Sequence, residues 1–294
     1  MQIKPYPEFQ PLEKEYKPIF DDLFLRFPPQ ISEFTFTNLY SWRKIYNLSL
    51  AKLGDFIILR SGKDNQKRYF MPLGEGSIKT VIAQILKEIN AIFIRIPERV
   101  AGLFSTSNDF KVEPDRDNFD YLFKTEELIA LKGRKYDGKR NLINKFKSMY
   151  KYEYQKLDHS NIKECLDFEE RWCTVKNCDS IEGLNNERQA IQEMMDNCSD
   201  FGLIAGAIKV DGKTCALAIS EKLNKNTLVF HILKADPGMP GLYQTITNEF
   251  LKHEAGDFEY VNFEQDLGVS GLRKAKLSYN PVELIKKFTL SPVV

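Results

Sequence analysis

Apolar positions recur at helical spacing in one segment of the first half of the chain. Residues 78–86 carry isoleucine, valine or leucine at i, i+3, i+4, i+7 and i+8, which predicts an amphipathic helix with one apolar face. Strands are predicted on both sides of it, because 56–60, 68–73 and 91–96 are rich in aromatic and β-branched residues. This order predicts a mixed sheet covered by helices.

The second half of the chain repeats this order, with two further helices in front. In chain order, the predicted helices are 161–175, 186–197 and 242–253, and the predicted strands are 202–210, 214–222, 227–234 and 258–263. The repetition predicts an α/β (α+β) protein with two related lobes. We place the boundary near Tyr150, which gives lobes 1–150 and 151–294.

The composition is that of a globular protein with a sizeable core. Of the 294 residues, 43% are apolar and 28% are charged, as in ordinary folded proteins. The formal net charge of +1 gives no global indication of nucleic-acid binding, so such binding would depend on local patches. No apolar run reaches the roughly 20 residues that a membrane span needs, and the N-terminus lacks the apolar stretch of a secretory signal. We expect a cytoplasmic protein with no transmembrane segment.

Cysteine and histidine are few and widely spaced. The chain has five cysteines without CxxC spacing and three histidines that lie far apart. We therefore interpret the cysteines as reduced thiols and expect no metal site. His231 lies in an apolar strand segment, where a hydrogen-bonded core histidine is favoured over a catalytic base.

A basic segment, 132–151, holds eight Lys or Arg residues and one acidic residue. Its helical spacing places an apolar stripe on one side and Arg140 and Lys147 on another. One interpretation is a solvated helix face. The other is a site for phosphates of a tRNA end, coenzyme A or a lipid headgroup, with Lys139, Arg140 and Lys147 as the candidate contacts.

Two glycine-containing segments lie where a strand leads into a helix. Segment 74–77 is best explained as a plain turn, because Glu75 opposes an anion there. In segment 237–241, two prolines remove backbone donors, while Gly238 and Gly241 permit close backbone approach. For this second segment, ligand contact and simple turn formation both remain open.

A strand that ends in acidic residues carries the strongest chemical indication. Glu264 and Asp266 are candidate proton acceptors for an attacking amine or hydroxyl. Arg273 and Lys276 are the candidate cations for a developing oxyanion, and Lys274 is a candidate phosphate contact. The alternative is a structural salt-bridge cluster, which would use the same residue types.

These motifs resemble the C-terminal domain family of bacterial phosphatidylglycerol lysyltransferases. The similar segments lie in the second half of the chain and at the end of the first half: 131–133, 139–141, 170–173, 228–234, 241–244 and 262–281. The resemblance implies two tandem lobes of the acyl-CoA N-acyltransferase (GNAT) fold, each with a mostly antiparallel sheet flanked by helices. It also implies similarity to enzymes that move an aminoacyl group from tRNA to a lipid or peptidoglycan peptide.

Two functional hypotheses follow. In the first, the protein transfers an acyl or aminoacyl group from a tRNA or CoA-type donor to an amine or hydroxyl of a small amine, a peptide or a lipid headgroup. Segment 237–241 lacks the Gln/Arg-x-x-Gly-x-Gly/Ala loop of acetyl-CoA enzymes, so the resemblance implies a transferase-like protein rather than an acetyltransferase. In the second, a catalytically silent GNAT-like module binds RNA or a phosphorylated ligand.

Overall fold

A computed structural model describes residues 2–62, 67–88, 91–158 and 161–293 and divides the chain into two compact units. The first unit is formed by Met1–Asp120, Gln265–Arg273 and Leu284–Val294. The second is formed by Tyr121–Glu264 and Lys274–Glu283.

The first unit is built on one sheet of eight strands. These strands are β1 (Gln10–Pro11), β2 (Ser49–Leu53), β3 (Phe56–Ser61), β4 (Lys67–Tyr69), β5 (Leu73–Gly74), β6 (Ala91–Pro97), β7 (Phe110–Pro114) and the last strand of the chain, β15 (Lys287–Pro292). Their order is β1-β2-β3-β4-β6-β15-β7, and β5 pairs with β3. The helices are α1 (Lys17–Arg26), α2 (Phe36–Ser41), α3 (Ile78–Ile85) and α4 (Glu98–Ala101).

Helix α3 confirms the prediction made for 78–86. The helix begins after Ser77, whose hydroxyl accepts a hydrogen bond from the backbone N–H of Thr80 and caps the first turn. Its apolar face, with Val81, Ile82 and Ile85, packs against the buried sheet residues of the first unit. Burial of this face is the main reason for the helix to form, since an isolated helix of this length is unstable in water.

The second sheet has seven strands in the order β14-β8-β13-β12-β11-β10-β9. They are β8 (Asp120–Lys124), β9 (Tyr152–Lys156), β10 (Ile204–Val210), β11 (Lys213–Lys222), β12 (Thr227–Ala235), β13 (Tyr260–Asn262) and β14 (Glu283–Ile285). The helices of this half are α5 (Thr125–Ala130), α6 (Asp137–Met149), α7 (Ile162–Lys176), α8 (Glu182–Asp196) and α9 (Leu242–Glu254), followed by α10 (Ser270–Leu277). In the core, Phe168 of α7 and Ile191 of α8 pack with Leu217 and Ile232 of the sheet.

The two sheets have the same strand order, which confirms the predicted pair of related lobes. In the first sheet, the strands from β1 to β4 are successive antiparallel neighbours, and in the second sheet the strands from β9 to β12 are. In each sheet, a helix then connects the last of these strands to a neighbouring strand that is parallel to it. Helix α3 lies between β4 and β6, and helix α9 lies between β12 and β13. An antiparallel strand completes the pattern, β15 beside β6 and β8 beside β13.

The two units differ from the expected ranges 1–150 and 151–294. Tyr150 lies inside the second unit, because β8 pairs with β13 and α6 packs against α9. In return, the C-terminal strand β15 pairs with β6 and β7 of the first sheet. Each sheet thus takes one strand from a distant part of the sequence, and a single boundary cannot separate the units.

The interpretation of all five cysteines as reduced thiols is corrected by the structure. Cys173 at the end of α7 and Cys178 form a disulfide with a Cα–Cα distance of 4.9 Å. The chain reverses at Asn177, which has a left-handed φ of 54° and closes α7, so the two cysteines meet although no CxxC motif marks them. The other three cysteines are free and buried.

The helices of the described ranges include none that is long and apolar enough to cross a membrane.

Candidate functional site

The parallel strands β12 and β13 of the second unit separate part-way along β12. They pair from Thr227 beside Tyr260 to Val229 beside Asn262, where β13 ends, while β12 continues to Ala235. The pairing of β12 with β11 shifts by one residue just beyond this point, and the extra residue is His231. A bulge of this kind redirects a side chain and is common beside active sites.

His231 bridges two carboxylates at this bulge. Its Nε2 lies 2.7 Å from Oε1 of Glu221 on β11, and its Nδ1 lies 2.8 Å from Oε1 of Glu264. The side chain of His231 is 1% exposed, against 10% for Glu221 and 17% for Glu264. Burial alone would lower the pKa of His231, but the hydrogen bonds and charges of both glutamates outweigh it and raise the pKa to about 10. The ring is therefore an imidazolium at neutral pH.

Glu264 occupies a constrained backbone position just after β13. Its φ of 53° is left-handed, a conformation that non-glycine residues adopt uncommonly. Two hydrogen bonds hold this conformation: the N–H of Glu264 donates to Asn262 Oδ1 at 2.7 Å, and the N–H of Tyr121 donates to the Glu264 carbonyl at 3.3 Å. Nearby, Lys276 Nζ donates to the carbonyl oxygen of Phe263 at 2.5 Å. Two of the predicted catalytic residues, Glu264 and Lys276, thus lie at this strand end.

The other two predicted catalytic residues lie in the first unit and bind each other. Arg273 donates from Nε and Nη2 to the two oxygens of Asp266, at 2.9 and 2.8 Å. Arg116 Nη1 and the N–H of Gly268 also donate to this fully buried carboxylate, at 3.1 and 2.9 Å. Asp117 accepts from Arg273 at 2.7 Å. This arrangement has the geometry of a bidentate Arg–carboxylate salt bridge. It corresponds to the structural salt-bridge cluster given above as the alternative to a catalytic site.

Segment 237–241, for which ligand contact and simple turn formation were both open, is closely packed against its neighbours. Gly241, at the start of α9, has a φ of 88°, and a Cβ added there would overlap the carbonyl oxygen of Leu142 on α6. The N–H of Gly238 donates to Asp236 Oδ1 at 2.8 Å, so a carboxylate already satisfies that donor. These contacts account for both glycines by packing and turn formation.

The basic segment is partly neutralised by contacts within the second unit. Arg140 donates to Asp137 and to the carbonyls of Leu131 and Gly133, which ties down the turn before α6. Lys147 pairs with Glu249 at 3.0 Å. The exposed end of α6 leads into a depression of about 390 Å³ lined by residues 147–152, which include Lys147 and Lys151.

The environment of Lys139 differs from those of Arg140 and Lys147. Its Nζ donates to Ser278 Oγ at 2.6 Å and lies 3.7 Å from the ring centroid of Tyr279. Burial lowers the pKa of Lys139 to about 8. Lys274, the remaining candidate contact, is exposed on α10.

The first unit carries different residues at the corresponding position. Its parallel pair ends at Tyr69 beside Phe93. Two residues beyond Phe93 stands Arg95, whose φ of 55° matches the left-handed φ of Glu264, two residues beyond the end of the other pair. Arg95 binds Asp115 at 2.6 Å and Glu33 at 3.1 Å. A cation thus stands in one unit where a carboxylate stands in the other.

Among the described residues, no group of three or more His, Cys, Asp or Glu side chains is arranged to hold a metal ion. The residues that sequence reasoning missed are His231, which it interpreted as a core residue, and Glu221. Their positions on two neighbouring predicted strands, 214–222 and 227–234, were a usable signal, because residues on the two strands of a hairpin lie near one another.

Comparisons with known proteins agree with this architecture. The family model described as the C-terminal part of phosphatidylglycerol lysyltransferase matches residues 25–291. A crystal structure of a conserved protein of unknown function from Bacteroides thetaiotaomicron is 33% identical, with a TM-score of 0.89 over 99% of this chain and 100% of that one. The structure of L-PGS from Bacillus licheniformis is 13% identical, with a TM-score of 0.65 over 99% of this chain and 94% of that one.

A tandem GNAT protein from the clavulanic acid biosynthesis pathway is 9% identical, with a TM-score of 0.50 over 97% of this chain and 98% of that one. Together with the repeated strand order, this similarity confirms the predicted fold of two GNAT-like lobes.

Proposed function

The chain belongs to the phosphatidylglycerol lysyltransferase C-terminal family, and on that premise we propose that it transfers an aminoacyl or acyl group to an amine or hydroxyl. The proposed site is the end of β13 in the second unit. The observation that carries the proposal is Glu264, a partly exposed carboxylate held at the point where β12 and β13 separate. The first unit has Arg95 at that position, so the proton acceptor is assigned to the second unit.

The proposed reaction is a direct transfer. The nitrogen or oxygen of the acceptor attacks the carbonyl carbon of the donor ester or thioester, and the bond from this carbon to the tRNA oxygen or the CoA sulfur breaks. Glu264 takes the proton that the attacking group loses, and the departing oxygen or sulfur takes a proton to leave as a hydroxyl or thiol. No covalent intermediate with the protein is required, because alignment of the two substrates supplies much of the acceleration.

Lys276 is proposed to support this step electrostatically. Its ammonium group lies beside the Phe263 carbonyl, one residue before Glu264. A fixed positive charge near the reacting carbonyl stabilises the oxyanion of the tetrahedral intermediate. Asp266 and Arg273 are assigned instead to the stability of the first unit, because they bind each other there.

The start of α9 favours an aminoacyl-tRNA donor over a CoA-type donor. A CoA pyrophosphate binds best where backbone N–H groups at a helix start are accessible. Here the start of α9 packs on Leu142 at Gly241, and Asp236 takes the N–H of Gly238. The proposed acceptor is the amine or hydroxyl of a small amine, a peptide or a lipid headgroup.

One observation favours the second hypothesis, a module that binds RNA or a phosphorylated ligand without chemistry. The depression at residues 147–152 combines two lysines with two tyrosines, and such surfaces bind single-stranded nucleic acid by charge and stacking. Under this hypothesis the protein binds tRNA with a strong salt dependence and leaves the aminoacyl ester intact.

The test is a transfer assay with purified protein. Labelled aminoacyl-tRNA and acyl-CoA are each combined with phospholipid vesicles, peptides and small amines, and products are identified by mass spectrometry. We expect transfer from aminoacyl-tRNA that is lost in Glu264→Gln and kept in Glu126→Gln, a control at an exposed position of α5. If neither donor gives a transfer product with any of the three acceptor classes, the proposal is contradicted.

A further inference from the structure

The ring of His231 separates two carboxylates that come from the strands on either side of it. Glu221 belongs to β11, and Glu264 follows β13, while His231 is the bulged residue of β12. An ionised carboxylate only accepts hydrogen bonds, so both ring nitrogens must carry a proton to bond both glutamates. The group of three then has a net charge of −1.

This arrangement rules out His231 as the general base. A doubly protonated ring has no lone pair to take a proton from the acceptor. Its pKa of about 10 means that it stays charged across the physiological range. A base at this site must therefore be one of the carboxylates, and Glu264 is the more exposed of the two.

We infer that His231 is a positioning residue, whose ring fixes the direction of the Glu264 carboxylate and places a positive charge beside it. This inference rests on the proposed function, since it concerns the residue assigned there as the proton acceptor. The contact between Nδ1 and Glu264 Oε1 orients one carboxylate oxygen. The contact between Nε2 and Glu221 holds the ring in place, as outer partners orient the ligating groups of metal sites.

The charge of the ring matters as much as its direction. Without it, Glu221 and Glu264 would be two carboxylates facing each other across a buried space, and like charges in such a place favour protonation of one of them. A protonated Glu264 cannot accept a proton from the acceptor substrate. His231 therefore links the acid side of the pH profile to the charge of a residue that is itself buried.

The first test uses His231→Asn, which keeps an amide donor near the place of Nδ1 and removes the charge. We expect kcat to fall about 10²-fold, with KM changed by less than about threefold, because orientation and ionisation of the base are lost while binding is kept. The acid limb of the rate profile should move to higher pH. His253→Gln is the matched control, because that histidine is exposed on α9 and stacks on Tyr154.

The outcomes are distinguishable. If the wild-type protein transfers no group from any donor, the proposed function fails and this inference fails with it. The inference alone is overturned under two conditions in an active wild-type protein. His231→Asn then keeps the wild-type pH profile, and its kcat per folded molecule equals that of the wild type.

A second measurement does not depend on activity or on the folding of a His231 variant. The chain has three histidines, so the double variant His159→Gln/His253→Gln leaves His231 as the one imidazole. Nitrogen-15 NMR of this protein at pH 8 should show two protonated ring nitrogens. A ring with one unprotonated nitrogen at that pH overturns the inference.

Discussion

Gly241 lies against Leu142 so closely that any side chain at position 241 would overlap the Leu142 carbonyl oxygen. Its φ of 88° adds a second constraint, because this left-handed conformation is costly for other residues. The contact sets how near α6 approaches the start of α9.

Gly241→Ala should therefore lower the free energy of unfolding by about 2 kcal/mol or more, through overlap and backbone strain. The measurement is urea denaturation followed by circular dichroism. Gly138→Ala serves as the control, since Gly138 lies in α6 with nothing near its Cβ position, and alanine is expected to stabilise that helix by up to about 1 kcal/mol. Equal stability of the two variants would contradict the packing account.

Lys287 and Lys286 offer a second matched pair. Lys287 is fully buried in the first unit and binds Glu33 and Asp120, each at 2.6 Å, whereas Lys286 is half exposed and binds Glu98. Lys287→Met removes the buried cation that Glu33 and Asp120 share, although Arg95 still contacts Glu33. This substitution should cost about 3 kcal/mol or more. Lys286→Met should cost less than about 1 kcal/mol. Thermal and urea unfolding of both variants measure the difference, and similar values would argue against the buried cluster.

Asp266 is predicted to act through stability. It is fully buried and accepts hydrogen bonds from Arg273, Arg116 and Gly268. Asp266→Ala should destabilise the protein by about 2 kcal/mol, because bonds to a charged acceptor are lost, while its transfer rate per folded molecule stays near that of the wild type. Asp117→Ala, at an exposed carboxylate, should change stability by less than about 0.5 kcal/mol. A loss of rate in fully folded Asp266→Ala would return this residue to the catalytic set.

The raised pKa of His231 predicts a pH dependence of stability. The pKa is 6.5 for an ordinary histidine and about 10 here, so the folded state holds one more proton than the unfolded state between these values. The stabilisation is complete below pH 6.5 and is lost as the pH rises towards 10, by about 1.4 kcal/mol per pH unit.

The lowered pKa of Lys139, about 8, acts in the opposite direction above that pH. For this reason the quantity to measure is the unfolding free energy of the wild type minus that of His231→Gln. The difference should shrink steadily from pH 6.5 to 10, and a flat difference would contradict the charged ring.

Local patterns in the sequence predicted the elements well. The apolar spacing of 78–86 predicts α3, and the strands predicted at 202–210 and 214–222 correspond to β10 and β11. Local patterns do not predict which strands pair when these strands are distant in sequence. The pairing of β8 with β13, and that of β15 with β6, depend on contacts between residues far apart in sequence.

The candidate site shows the same limit. Glu264 and Asp266 are two residues apart and look alike in the sequence, yet one binds His231 in the second unit and the other binds Arg273 in the first. The role of His231 depends on a one-residue shift in the pairing of β11 and β12, which alternation of apolar residues does not reveal. The disulfide of Cys173 and Cys178 likewise depends on a left-handed residue between them.

The central claim, that Glu264 takes the proton during transfer, is tested most directly by a single-turnover experiment. Protein in excess is mixed with labelled aminoacyl-tRNA and acceptor, and the rate constant of ester consumption is measured for the wild type, Glu264→Gln and Glu126→Gln. We predict a fall of about 10²- to 10⁴-fold for Glu264→Gln, as for loss of a general base, with unchanged tRNA affinity and a wild-type rate for Glu126→Gln. A wild-type rate constant in folded Glu264→Gln would contradict the account.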